Sequence, residues 1–213
     1  MDYGETMELQ TIQSALRNHR MGPVTGVPRR SAVLIPLIQR GGELSLLFET
    51  RNAAIRQGGE ICFPGGRLEN GETPEQAAVR ETCEELLVAP SQIRVIAPMF
   101  RTERGNLQIL SYLGTIAGYE GTFSPDEVAN TFHIPLAWFL AHEPEMHTGK
   151  LTVQPDDGFP YELIPGGRDY PFAAGTRQFY FYRTSYGVIW GLTASILYHT
   201  VELMKSEIGE EHL

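Results

Sequence analysis

Between Glu60 and Leu86 the chain reads EICFPGGRLENGETPEQAAVRETCEEL, and no other stretch constrains the fold as tightly. Thr73, Pro74 and Gln76 stand where an α-helix needs its N-cap, first and third residues. A threonine oxygen there can accept from the third residue's N–H, and a glutamine can reach back to the cap's N–H. The proline lacks an N–H that would have had no partner anyway. The spacing predicts a helix from Pro74 to about Leu86. Upstream, Glu60 to Phe63 reads as a short strand stopped by Pro64-Gly65-Gly66. Whatever the rest does, a strand, a glycine turn and a capped helix must follow one another directly.

The flanking sequence supplies more strands. Ala32 to Ile38 and Leu44 to Thr50 are apolar runs joined by Gly41-Gly42, which predicts a hairpin. Asn52 to Gly59 reads as a loop. Strands are expected at Ile93–Phe100 and Gln108–Ile116, and a short helical turn over Asp126–Phe132 ahead of Ile134–Leu140. Residues 155–177 read as a long ordered loop, and Gln178–Arg183 as an aromatic strand. Val188 to Lys205 predicts a final helix, apolar on several sides at Ile189, Trp190, Leu192, Ile196, Leu197 and Val201. Such a helix is expected in the core, with pairing into a homodimer as its second use. Leu9, Ile12 and Leu16 give the spacing of an amphipathic helix over 6–19, with a Gly/Pro-rich linker at Met21–Pro28. The 213 residues are read as one domain.

Composition excludes several classes. The chain is 42% hydrophobic and 20% charged, ordinary for a globular protein. Its longest apolar run, Ala32–Ile38, falls far short of the roughly 20 residues that cross a bilayer. The acidic start, with Asp2 and Glu5, lacks the apolar core of a signal peptide. Cys62 and Cys83 alone suit reduced thiols and a cytoplasmic location. A net charge of −9 argues against nucleic acid or an anionic membrane as partner. An anionic ligand would need a local offset, which a divalent cation supplies most simply.

Glu81, Glu84 and Glu85 stand at i, i+3 and i+4 of the expected helix and share one face. Val79, Thr82, Cys83 and Leu86 fall on the other side, free to pack on a sheet. Exposed carboxylates so placed repel one another by about a few tenths of a kcal/mol per pair. Arg80 alone cannot neutralise three. Their oxygens suit Mg²⁺ or Mn²⁺, and the upstream glycines let backbone carbonyls approach the same ion. An isolated E-x-x-E-E run usually just faces water. Here the glycine turn, the built helix start and the further acid Glu72 favour a site.

The same residues resemble the Nudix box, G-x5-E-x7-R-E-U-x-E-E-x-G-U, where U is a bulky aliphatic. Gly66, Glu72, Arg80, Glu81, Glu84, Glu85 and Val88 fall on it. Thr82 replaces the first aliphatic and Leu87 the glycine, so the helix end is expected to differ in shape. The resemblance implies an α+β fold, an α/β/α sandwich around a mixed sheet. It also implies a hydrolase of diphosphate linkages. By position, Glu81, Glu84 and Glu85 would hold Mg²⁺ or Mn²⁺ with a carbonyl of Gly65 or Gly66. Glu81 would be the first choice to activate water, Arg80 would orient the carboxylates, and Glu72 would brace the loop.

Leu46 to Gly66 is similar to the signature of the coenzyme A pyrophosphatase subgroup, through Arg51, Arg56, Gly59, Phe63, Pro64, Gly65 and Gly66. Phe48 and Glu49 stand where Leu and Thr are usual, Asn52 where Ser or Ala is, and the Arg56–Gly59 spacing is one residue short. The segment Tyr186–Leu197 is also similar to this subgroup. The resemblance implies hydrolysis of CoA or acyl-CoA to 3′,5′-ADP and 4′-phosphopantetheine compounds. ADP-ribose or another nucleoside diphosphate derivative is the alternative. A binding module without catalysis is a third reading, against which every acid of the box is present. Arg51 and Arg56 suit bidentate phosphate binding, or else ion pairs with nearby glutamates. Glu127 is a further candidate base or ligand. His142 and His147 are too far apart for a helical zinc pair, with Pro144 between them. Cys83, on the apolar helix side, reads as a small buried hydrophobe.

Overall fold

The computed structural model describes residues 29–208, so the expected N-terminal helix and linker lie outside it. Strands β1 (Arg29–Arg40) and β2 (Glu43–Arg51) form the expected hairpin. At its tip Gly41 and Gly42 take φ of 57° and 89°, which side-chain-bearing residues resist. Strands β3 (Ile61–Cys62), β4 (Gly65–Arg67), β5 (Ile93–Arg104), β6 (Leu107–Ile116) and β7 (Val128–Pro135) complete a seven-stranded sheet. Its order is β3-β2-β1-β6-β5, with β4 added to β1 and β7 to β2. β1 and β6 run parallel and the other pairs antiparallel, so the sheet is mixed.

β1 is apolar on both faces, as a strand covered on two sides must be. Ala32, Leu34 and Ile38 point one way, into a core with Ala77, Ala78 and Leu86 of helix α1 (Pro74–Leu86). Ile35 and Leu37 point the other way, toward Phe139 of α2 (Leu136–Ala141) and Leu197 of α3 (Gly191–Ile208). The period of two thus divides the interior into two cores with the sheet between, the α/β/α sandwich expected for the α+β class. A second sheet, β10-β9-β8, is built from β8 (Glu145–Leu151), β9 (Gly175–Thr184) and β10 (Gly187–Ile189). Among the described residues no helix is long and apolar enough to cross a membrane.

Three expectations need correction. Asp126–Phe132 is not a helical turn. From Val128 on it is strand, because Val128, Phe132 and Ile134 alternate inward and the segment pairs with β2. The final helix begins at Gly191, where φ is 67°, and Gly187–Ile189 is strand, leaving Trp190 outside the helix and 44% exposed. The loop over 155–177 holds two short 3₁₀ turns, Tyr161–Leu163 and Gly167–Asp169, and gives way to β9 at Gly175.

Candidate active site

Helix α1 begins as its sequence requires. Gln76 N donates to Thr73 Oγ1 at 3.2 Å, and Thr73 N donates to Gln76 Oε1 at 2.9 Å. Its end is a surprise only in residue type. Leu87 itself takes the left-handed conformation, φ 52° and ψ 45°, so the helix terminates as a glycine would make it. The strain is about 1 kcal/mol.

The helix lies over Gly65 and Gly66, which form not the turn read from the sequence but the start of β4, paired with Val33 and Ala32 of β1, and both glycines are needed there. A Cβ on Gly65 would strike the Ala32 carbonyl and Val33 Cα, and one on Gly66 would fall on the Glu81 carboxylate. This close approach turns part of the acidic face inward. Glu85 is buried and accepts from Gly65 N at 2.7 Å. Val79 and Cys83, expected on the buried side, are only half covered, while Thr82 and Leu86 are fully buried. Sharing a face therefore does not give the three acids one environment. The Glu84 side chain is 55% exposed and that of Glu81 16%.

Arg80 ties the acids together. Its Nε donates to Glu72 Oε1 at 2.9 Å, and its Nη1 lies 3.0 Å from both Glu81 Oε1 and Glu84 Oε2. Nη2 donates to the Arg67 carbonyl at 3.0 Å, fixing the guanidinium to β4. The Arg80 bonds hold Glu72 below the usual carboxylate range, helped by Glu69 N, which donates to it at 3.0 Å. Glu81 is pushed up by burial despite Arg80.

A fifth acid, noted in the sequence only as a departure from the signature's threonine, lies within reach of Glu85. Glu49 on β2 is 1% exposed. The Cys62 thiol donates to its Oε1 at 3.2 Å, and its Oε2 has no partner among the described residues. Burial pushes Glu49 up to about 7. Burial first, then the Glu49 charge, pushes Glu85 up to about 9. The Cys62 thiol is also driven up, by burial and by Glu49, so it is no thiolate nucleophile. A polar residue in the core-facing register of a buried strand was the signal that could have found Glu49.

A cleft of about 270 Å³ opens beside the two glycines, lined by Ser31, Arg51, Gly65, Gly66, Arg104 and Trp190 among others. Arg51 lies in it, its Nε donating to the Arg56 carbonyl at 3.3 Å. Arg56 contributes that carbonyl, while its side chain is exposed and outside the cleft wall. Arg104 and Trp190 were not foreseen. Arg104 is half-buried, its pKa lowered by desolvation and by Arg177, and no carboxylate offsets either effect. Glu127 is exposed, its carbonyl accepting from Asn52 N at 2.8 Å, and its charge reaches Glu49 and Glu81. The two glycines, Glu81, Glu85, Arg80, Glu72, Arg51 and Glu127 are thus brought together. Glu84 stands at the rim and Arg56 outside.

The donor set fits a hard divalent cation. It consists of carboxylate oxygens crowded by burial, one of them unpartnered among the described residues, beside a backbone segment that tolerates no side chain. As placed, no three acid, histidine or cysteine groups among the described residues close around an ion.

The comparisons agree with this geometry. The NUDIX domain family profile matches residues 28–157. The peroxisomal coenzyme A diphosphatase of Mus musculus is 33% identical over 129 residues, 58% of this chain and 53% of that protein. The match thus spans only about half of the mouse enzyme. Nudix hydrolase 3 of Caenorhabditis elegans is 28% identical over 189 residues, 85% of this chain and 76% of that one. A MutT/nudix family protein from Enterococcus faecalis shares the fold, with a TM-score of 0.50 at 15% identity over 96% of this chain and 72% of that chain. Fold and site define a hydrolase of the kind that acts on diphosphate linkages. The chain belongs to the Nudix family.

Proposed function

We propose that this chain hydrolyses the diphosphate of CoA or an acyl-CoA, giving 3′,5′-ADP and a 4′-phosphopantetheine compound. The observation that carries this reading is the Gly65–Gly66 segment at the start of β4. One side of it bears the Glu81 and Glu85 carboxylates, and the other opens into the cleft that holds Arg51. Glu81 and Glu85 would hold Mg²⁺ or Mn²⁺, with Glu84 joining from the rim and a carbonyl of Gly65 or Gly66 completing the set. Bound there, the cation would polarise diphosphate oxygens and lower the pKa of the attacking water. Arg80 keeps Glu81 and Glu84 aligned and is itself braced by Glu72. Arg51 offers a fork of donors to the phosphates. Glu81, or Glu127 at the margin, would accept the water's proton. The 33% likeness to a coenzyme A diphosphatase and the Leu46–Gly66 signature support CoA over other diphosphates.

The test is a substrate panel with Mg²⁺ or Mn²⁺, reading the phosphorylated products from CoA, ADP-ribose, NADH and dinucleoside polyphosphates. CoA is expected to turn over fastest. Turnover of ADP-ribose with none of CoA would overturn the substrate. Glu85→Gln should lower kcat by orders of magnitude while circular dichroism stays unchanged, because glutamine keeps the shape and still offers Gly65 N a side-chain oxygen. Near-normal activity of that variant would remove Glu85 from the ligand set.

A further inference from the structure

The alternation of β2 sends Leu46 and Phe48 into one core and Leu47 into the other, beneath α1. Glu49 follows Leu47 on the α1 face, at a depth where every other large side chain of the strand is apolar. It is 1% exposed. One carboxylate oxygen is held by the Cys62 thiol at 3.2 Å, and the other is buried without a partner among the described residues. An isolated carboxylate oxygen is among the most costly groups to bury, and a fold keeps one only where something compensates it.

Among the described residues nothing supplies that compensation. The charged groups within reach of Glu49 are Arg51, Glu81, Glu85 and Glu127, three acids against one base, and Arg51 is bonded to the Arg56 carbonyl. The signature that this segment otherwise resembles has threonine here, so the charge is a departure from it. Phe63 and Pro64 link β3 to β4, and Gly65 at the start of β4 donates its N–H to Glu85 at 2.7 Å. The two buried carboxylates, one from the sheet and one from the helix, lie close enough that Glu85 feels the charge of Glu49.

We propose that Glu49 is an additional ligand of the cation site, contributing through its unpartnered Oε2 and holding the ion against the β2 wall of the sheet. The inference rests on the reading of Glu81 and Glu85 as cation ligands. A carboxylate in place of the signature's hydroxyl adds one negative charge to the donor set. That strengthens the hold on a divalent ion and makes the metal-free site less stable.

Two quantities test this without reference to turnover: Mn²⁺ affinity, from the electron paramagnetic resonance signal of free Mn²⁺, and the melting temperature with and without Mn²⁺. Glu49→Gln keeps the shape and removes the charge. It should weaken Mn²⁺ binding by about tenfold or more. It should also raise the metal-free melting temperature and shrink the gain that Mn²⁺ brings. Glu81→Gln, measured alongside, reports on the parent reading. If Glu81→Gln loses Mn²⁺ while Glu49→Gln binds it unchanged, Glu49 is only part of the wall and the proposal is overturned with the cation site intact. If neither substitution alters Mn²⁺ binding, the cation site itself is misplaced and both readings fall. Should Glu49→Gln not fold, Glu49→Asp decides, since it keeps the charge and withdraws the oxygens by one methylene. Weakened Mn²⁺ binding supports the proposal, and unchanged binding overturns it.

Discussion

Leu47 and Glu49 lie two residues apart on one face of one strand, and only the second carries a charge into the interior. With Glu85 across from it, the pair sets a pH dependence whose sign can be worked out. Folded, Glu49 and Glu85 titrate at about 7 and about 9, against an ordinary value of 4.5. Between these limits the folded protein holds protons that the unfolded chain has released, so their contribution to stability declines as pH climbs. Glu72 acts in the opposite sense. Its pKa is lowered by Arg80, so its contribution is present above 4.5 and lost in acid. Metal-stripped protein should therefore melt at steadily lower temperature from about pH 5 to about pH 9, and saturating Mg²⁺ should flatten that slope. Calorimetry across the range checks this, and a melting temperature that rises with pH would contradict it. The box acids were legible in the sequence because their spacing is helical and their neighbours build a helix start. Glu49 was not, since in a strand only the burial of its neighbours shows which face is inside.

Helix α1 was read to its termini because its start is encoded locally, by side chains that bond backbone groups three residues away. It stops at Leu86 as expected, but the shape of that end was not legible, because the sequence lacks the glycine that usually marks it. Leu87 adopts φ 52° all the same, since Val88 beyond it is buried and the chain must turn there to reach β5. Leu87 is 57% exposed, so Leu87→Gly forfeits little packing and relieves the strained backbone. The variant should gain up to about 1 kcal/mol, read from chemical denaturation. A loss of stability would mean that the leucine side chain packs in a way that its exposure conceals. β7 was mistaken for a helical turn because Ser124-Pro125-Asp126 resembles a helix start. The inward spacing of Val128, Phe132 and Ile134 was the stronger signal. β8 offered no such pattern, for six of its seven residues are exposed.

The two sheets meet at the cleft; of the smaller one only β9 was foreseen, at Gln178–Arg183, where Tyr180 and Tyr182 alternate inward, whereas β8 and β10 bury too little to show a period. Phe179 of β9 and Trp190, just past β10, form part of the wall that faces Gly65 and Gly66. Trp190 is 44% exposed and stacks on Phe181, centroids 6.2 Å apart, whereas Trp138 packs against Phe139 and His142. Adding 3′,5′-ADP should change tryptophan emission through Trp190 alone. The response should survive Trp138→Phe and vanish in Trp190→Phe, and an unresponsive wild type would take this wall out of the binding surface. The arrangement of the larger sheet also bears on how the chain is made. β1 is apolar on both faces and pairs with β2, β4 and β6, yet β6 is the parallel partner that arrives only after α1 and β5. During synthesis, β1 must leave the ribosome with one hydrogen-bonding edge bare until β6 follows. That interval, set by topology rather than by the site, is where a nascent chain of this fold is most open to misassembly and most in need of a chaperone.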